Sequence, residues 1–173
     1  MNNIYFTGMP GSGKTTLAKA LAEDFDRVYI DLDKYIEEKN HMTIPDIFAK
    51  HGENFFRKSE TECLAEISHK NGVFIATGGG IVKCGKNIEI MKKSGSIIYI
   101  NTPPENILKN STLSGRPLLK DKNAIFKLYD ERKSLYESSA DFTLDNFGTI
   151  CEAQKNLAQI LEICLNVTKE DLQ

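Results

Sequence analysis

Apolar and polar positions fall into two textures along this chain of 173 residues. Short continuous apolar runs, of the length of buried strands, occur at Asn2–Thr7, Arg27–Asp31, Val73–Ala76, Ser96–Ile100 and Asp141–Leu144. Between them, apolar residues recur at helical spacing. Helices are predicted at Thr16–Phe25, Asp33–Glu37, Asp46–Lys50, Asn54–Lys70, Lys86–Lys93, Thr102 to about Ser111, Ala124–Ser139 and Thr149–Leu165. Start signals support two of these. Thr43-Ile44-Pro45-Asp46 supplies a capping hydroxyl, a first-turn proline and an acid, and Thr102-Pro103-Pro104-Glu105 repeats the device. Gly52 is expected to end one helix before the next begins. Five strands interleaved with helices make an α/β domain, and residues 33 to 61 form a helical excursion between its second and third strands.

The first strand leads into Gly8-Met9-Pro10-Gly11-Ser12-Gly13-Lys14-Thr15, which fits G-x-x-x-x-G-K-[ST]. Glycines let backbone N–H groups turn inward around a phosphate, and the N-terminus of the following helix adds a favourable dipole. The loop predicts a bound nucleoside triphosphate, ATP, held by Gly11, Ser12, Gly13, Lys14, Thr15 and Thr16. Lys14 is placed to reach the β and γ phosphates, and the Thr15 hydroxyl to serve Mg²⁺.

Composition narrows the class. The chain is 40% hydrophobic and 27% charged with a net charge of -2, which suits one folded domain and argues against a nucleic-acid partner. Four cysteines at irregular spacing, without a C-x-x-C pair, suggest neither a zinc site nor a disulfide framework. No apolar run approaches the length of a membrane span, so no membrane association is expected. A monomer in the cytoplasm is the expectation. Eighteen of the 22 cations are lysines, so the four arginines (Arg27, Arg57, Arg116, Arg132) mark places where a planar, two-pronged donor is wanted.

Candidate chemistry follows the strand ends. Asp31 closes the second strand and reads as the acid on the metal side, with helix capping as its alternative. Asp33, two residues on, is displaced from the metal and suits an acceptor hydroxyl. Gly78, Gly79 and Gly80 follow the third strand, where ligands bind in open parallel sheets. Arg57 lies in the helical excursion, with Glu53 and Glu60 near enough in sequence simply to neutralise it. Ser111 to Asn123 reads as a loop rich in breakers, a lid carrying Arg116 toward the γ-phosphate.

Taken in order, the phosphate loop, Asp31-Leu32-Asp33, Phe56-Arg57 with Glu60, Gly78-Gly79-Gly80, Arg116-Pro117-Leu118-Leu119, and Arg132 with Leu135-Tyr136 and Ala140-Asp141 resemble the shikimate kinase family over about Ile4 to Asp141. The resemblance implies a three-layer α/β/α P-loop kinase fold, with a parallel sheet of strand order 2-3-1-4-5, a substrate lobe at about 33–61 and a lid at about 111–123. It also implies ATP-dependent phosphorylation of shikimate. By it, Asp33 meets the hydroxyls, Arg57 and Arg132 hold the carboxylate, and Gly79 and Gly80 offer backbone N–H groups. Lys14, Asp33 and Arg116 are then the catalytic set. Lys109 stands where such kinases often carry an arginine flat against adenine. A gluconate or nucleoside monophosphate kinase, or a nucleotide-binding switch without chemistry, are the competing readings.

Overall fold

Alternation along the strands decides how the layers form. On β1 (Asn3–Thr7), Ile4 and Phe6 point to one face of the sheet and Tyr5 to the other. β3 (Phe74–Ala76) and β4 (Gly95–Asn101) repeat this, with Ile75, Ile97 and Tyr99 on the face of Tyr5 and Phe74, Ile98 and Ile100 on that of Ile4. β2 (Tyr29–Asp31) and β5 (Phe142–Asp145) complete a five-stranded sheet of order β2-β3-β1-β4-β5, parallel throughout. Both faces are covered, as a parallel sheet requires. This computed structural model describes residues 2–110 and 122–170, with backbone alone at 110, 122 and 166–170.

One face carries α1 (Lys14–Asp24) and α7 (Ile150–Glu170), which bury Leu17, Leu21, Leu157 and Leu161 against the sheet. The other carries α2 (Leu32–Asn40), α3 (Ile44–Ser68), α4 (Gly85–Ser94), α5 (Pro104–Asn110) and α6 (Lys122–Ser139). β1 therefore hands its chain to one face and β3 to the other. The crevice between their carboxyl ends is a topological switch point, where open α/β sheets take ligands. Among the described residues, no helix is long and apolar enough to cross a membrane.

Boundaries meet expectation in part. Two helices are expected within residues 46 to 70, and α3, Ile44 to Ser68, is indeed two helical pieces that meet at a non-helical Gly52. Gly52 has φ of 80° and ψ of 175°, a non-helical conformation that only glycine adopts readily, so it ends the first piece and turns the chain into the second, as expected. The Thr43 cap agrees with the reading, its Oγ1 accepting from the Asp46 N–H at 3.3 Å; Glu37 Oε1 of α2, which the reading did not foresee, accepts from the Ile44 N–H at 2.8 Å. α2 continues to Asn40, past the expected Glu37, and Asn40 Nδ2 donates back to Ile36 O at 2.7 Å and across to Ser59 Oγ of α3 at 2.9 Å. α6 begins at Lys122, so 122 and 123 are helical; the rest of the expected lid, Ser111 to Asp121 with Arg116, lies outside the described residues.

Candidate active site

The phosphate loop leaves β1 and turns back into α1 at Gly13, whose φ of 93° is left-handed, a backbone state in which a side chain is strained. Lys14 opens the helix and is buried. Its ammonium donates to Gly8 O (2.9 Å) and Met9 O (2.8 Å), so the charge lies inside the loop's own turn. Thr15 and Thr16 are exposed on the first turn of α1. Sequence reading missed what holds the loop from outside. Thr102 Oγ1 and Asn146 Nδ2 both donate to Ser12 O, at 2.9 and 3.1 Å, tying the loop to the ends of β4 and β5. Thr102 could only be read as a helix start, and Asn146 carried no motif at all.

Asp31 does two things. Its Oδ1 accepts from the Lys34 N–H at 3.3 Å as the N-cap of α2, and its Oδ2 takes the Thr15 hydroxyl at 3.3 Å and the Tyr29 hydroxyl at 3.2 Å. Burial, with the Asp31 charge beside it, raises the Tyr29 pKa, so the phenol remains a donor. The two residues read as serving the metal are thus in direct contact. A hydroxyl beside a carboxylate is a hard oxygen donor set, and Mg²⁺ bound to a nucleotide uses one or two such groups with phosphate oxygens and water. The pair fits that ion.

The glycine triplet is where the remaining groups meet. A Cβ on Gly78 would fall 2.7 Å from Asp33 Oδ1, one on Gly79 2.7 Å from the Pro10 ring, and one on Gly80 2.6 Å from both terminal nitrogens of Arg57. Each glycine thus makes room for a different element: α2, the phosphate loop and α3. Arg132 Nη1 donates to Gly79 O at 2.9 Å, bringing α6 to the same point. Asp33, Arg57, Arg132 and Gly78–Gly80, scattered over 100 residues of sequence, therefore surround one seat beside the phosphate loop.

Arg57 is not alone there. Its Nη1 donates to Glu60 Oε2 at 2.8 Å and its Nε to Glu53 Oε1 at 3.2 Å, while its guanidinium carbon stands 5.0 Å from the Phe56 ring centre. Glu53 also faces Lys83 Nζ at 3.8 Å. Neutralising partners and a role in the seat coexist, because Arg57 keeps its guanidinium against Gly80. Glu60 is 1% exposed, and its Oε1 has no hydrogen-bond partner among the described residues. Burial pushes its carboxyl above the ordinary range, Arg57 pulls it back in part, and nearby Asp33 adds to the rise. Arg57 is raised: burial works against its charge, but Glu60 and Glu53 outweigh that.

Lys109 is exposed in the last turn of α5. Three residues before it, Asn106 Nδ2 donates to Phe147 O at 3.1 Å, which joins α5 to the segment after β5. That segment, with Asp145, Asn146, Phe147 and Gly148, lines a cavity of about 410 Å³ together with Glu152 and Lys155 of α7.

A parallel sheet of this order, a phosphate loop after its central strand and a polar seat across the switch point define a P-loop kinase fold. The family model for shikimate kinase matches residues 10–164. A shikimate kinase of Clostridium botulinum is 40% identical over 161 residues, 92% of this chain and 97% of that relative. The solved structure of a shikimate kinase from Acinetobacter baumannii in complex with shikimate is 35% identical, with a TM-score of 0.86 over 96% of this chain and 94% of that one. A gluconokinase from Sinorhizobium meliloti, at 12% identity and a TM-score of 0.63, shares the fold alone. The chain belongs to the shikimate kinase family.

Proposed function

We propose that the chain transfers the γ-phosphoryl group of ATP to the 3-hydroxyl of shikimate, giving shikimate 3-phosphate and ADP. The observation that carries this is the convergence of Asp33, Arg57 and Arg132 on the glycine triplet, next to the phosphate loop. A small hydroxylated acid needs one carboxylate for its hydroxyls and forked cations for its acid group, and this seat offers both.

In this reading the acceptor oxygen forms a bond to the γ-phosphorus while the bond to the bridging oxygen of ADP breaks, and the hydroxyl proton leaves toward Asp33. Asp33 orients the hydroxyl. Holding the oxygen in line supplies much of the rate, with proton acceptance by the carboxylate adding to it. Arg57 and Arg132 bind the carboxylate, with Gly79 and Gly80 closing on the ring through backbone N–H groups. Gly11, Ser12, Gly13 and Thr16 cradle the phosphates, and Lys14 moves its ammonium from the loop carbonyls to the β and γ oxygens as charge builds. Thr15 and Asp31 would hold Mg²⁺, which when bound supplies charge stabilisation on the phosphate oxygens. Arg116, outside the described residues, is proposed to meet the γ-phosphate from the lid. The base would lie in the cavity beside Asn146, and Lys109 of α5 is proposed to meet it.

ADP release measured with shikimate, gluconate, AMP or no acceptor tests this. Release that depends on shikimate and is weak with the others is expected. Equal release with gluconate or AMP, or none with any acceptor, overturns it.

A further inference from the structure

The carbonyl of Gly79 is held differently from its neighbours. Gly78 O and Gly80 O accept from the backbone of the short 3-10 turn that follows, from the Ile81 and Lys83 N–H groups. Gly79 O instead accepts from two side chains of α6: Arg132 Nη1 at 2.9 Å and, one helical turn later, the Tyr136 hydroxyl at 2.5 Å. Both lone pairs of the carbonyl are thereby used. Residues four apart lie on one helix face, so α6 delivers the two donors together.

A peptide unit is planar and trans, so the Gly79 C=O and the Gly80 N–H point in opposite directions along one rigid plate. Pinning the carbonyl from below sets where the Gly80 N–H points. A glycine pair on its own would leave that plate free to rock. Tyr136 is itself rigidly mounted. It is fully buried, and its ring stacks on Tyr99 of β4, 5.1 Å between centres and 16° between planes. Burial, opposed in part by Arg132, raises its pKa to about 12, so the phenol stays a donor at any working pH.

We propose that Tyr136 is a positioning residue of the acceptor seat: its hydroxyl locks the Gly79–Gly80 peptide and the Arg132 fork in the orientation that receives the acceptor's carboxylate and ring. It need not touch the acceptor. This rests on the reading of Arg132 as a carboxylate ligand, and the test separates the two.

Tyr136→Phe keeps the ring and its stack but removes the pin. KM and Kd for shikimate should rise about three- to tenfold, the size of one lost hydrogen bond, with KM for ATP unchanged. Tyr99→Phe is the control for loss of a buried hydroxyl: Tyr99 bonds Asn101 Oδ1, not the triplet, and its removal should leave shikimate affinity alone. In an Arg132→Ala background the effect of Tyr136→Phe should shrink, because part of it acts through Arg132. An unchanged shikimate KM in Tyr136→Phe, or an equal rise in Tyr99→Phe, overturns the proposal. If Arg132→Ala itself leaves shikimate binding intact, it is the carboxylate reading that fails.

Discussion

The phosphate loop and the acceptor seat lie side by side at one end of the sheet, but they are built in opposite ways. The loop is eight consecutive residues, Gly8 to Thr15, and much of its working surface is backbone. The seat takes Asp33 from α2, Arg57 from α3, three glycines from the end of β3 and Arg132 from α6. A phosphate offers several equivalent oxygens, which a ring of N–H groups can meet from one turn of chain. A hydroxylated acid has distinct groups at fixed positions, and meeting them takes side chains from several directions. Damage should therefore differ: in the loop it is severe and blind to the acceptor, in the seat it is graded and specific to it.

The largest break in that comparison is Lys14→Ala. Loss of the cation proposed to follow the moving charge should cut kcat by about 100- to 1,000-fold, whichever acceptor is offered. Near parental kcat at saturating Mg²⁺ and ATP would remove Lys14 from the chemistry. Asp33→Asn comes next. A neutral amide still fills the space beside Gly78 but accepts no proton, so kcat should fall about 100-fold with little change in ATP binding, as steady-state kinetics would show.

The glycines sharpen the comparison because two adjacent ones face opposite halves of the site. Gly80→Ala presses a methyl on the Arg57 guanidinium and should raise KM for shikimate alone by about 5- to 30-fold, the equivalent of 1–2 kcal/mol. Gly79→Ala presses on Pro10 of the phosphate loop, so KM for ATP should rise with it. If both variants move the two KM values together, the halves are not separately built.

The smallest effect concerns stability. Because the Glu60 carboxyl is raised in the folded protein, the fold binds its proton more tightly than the unfolded chain does. That contribution is complete at low pH and is lost as pH rises above the ordinary glutamate value of 4.5 and through the raised one. Glu60→Gln should flatten the decline of Tm across that range while weakening shikimate binding, since Arg57 loses its buried partner. An unaltered pH slope would mean that Glu60 ionises in the fold as it does outside it.

How much was legible in the sequence follows the same division. The loop, the strands and the Thr43 cap announced themselves because each is local: spacing, glycines and a hydroxyl before a proline suffice. The arginines stood out only because lysine is otherwise the chain's cation. The pairing of Arg57 with Glu60 was visible as a possibility at helical spacing, but not that burial would leave one oxygen of Glu60 without a partner among the described residues. Asn146, Thr102 and the Tyr136 hydroxyl act on backbone carbonyls far away in sequence, and no residue pattern encodes such a meeting. Asp141 was part of the family pattern, and its Oδ2 takes the Ile97 N–H at 2.8 Å, which registers β5 on β4, a meeting the motif alone does not show.

The central claim is that the seat reads a carboxylate through two forked cations. Its most direct test is calorimetric titration of shikimate and of its methyl ester into the parent, Arg57→Ala, Arg132→Ala and the two lysine variants, with ATP titrated alongside. Each alanine variant should bind shikimate about 10- to 100-fold more weakly, as expected for one charged hydrogen-bonded pair, with partial recovery for lysine, little loss for the ester and none for ATP. Parental affinity for shikimate in both alanine variants, or an equal loss of the ester, would contradict the account.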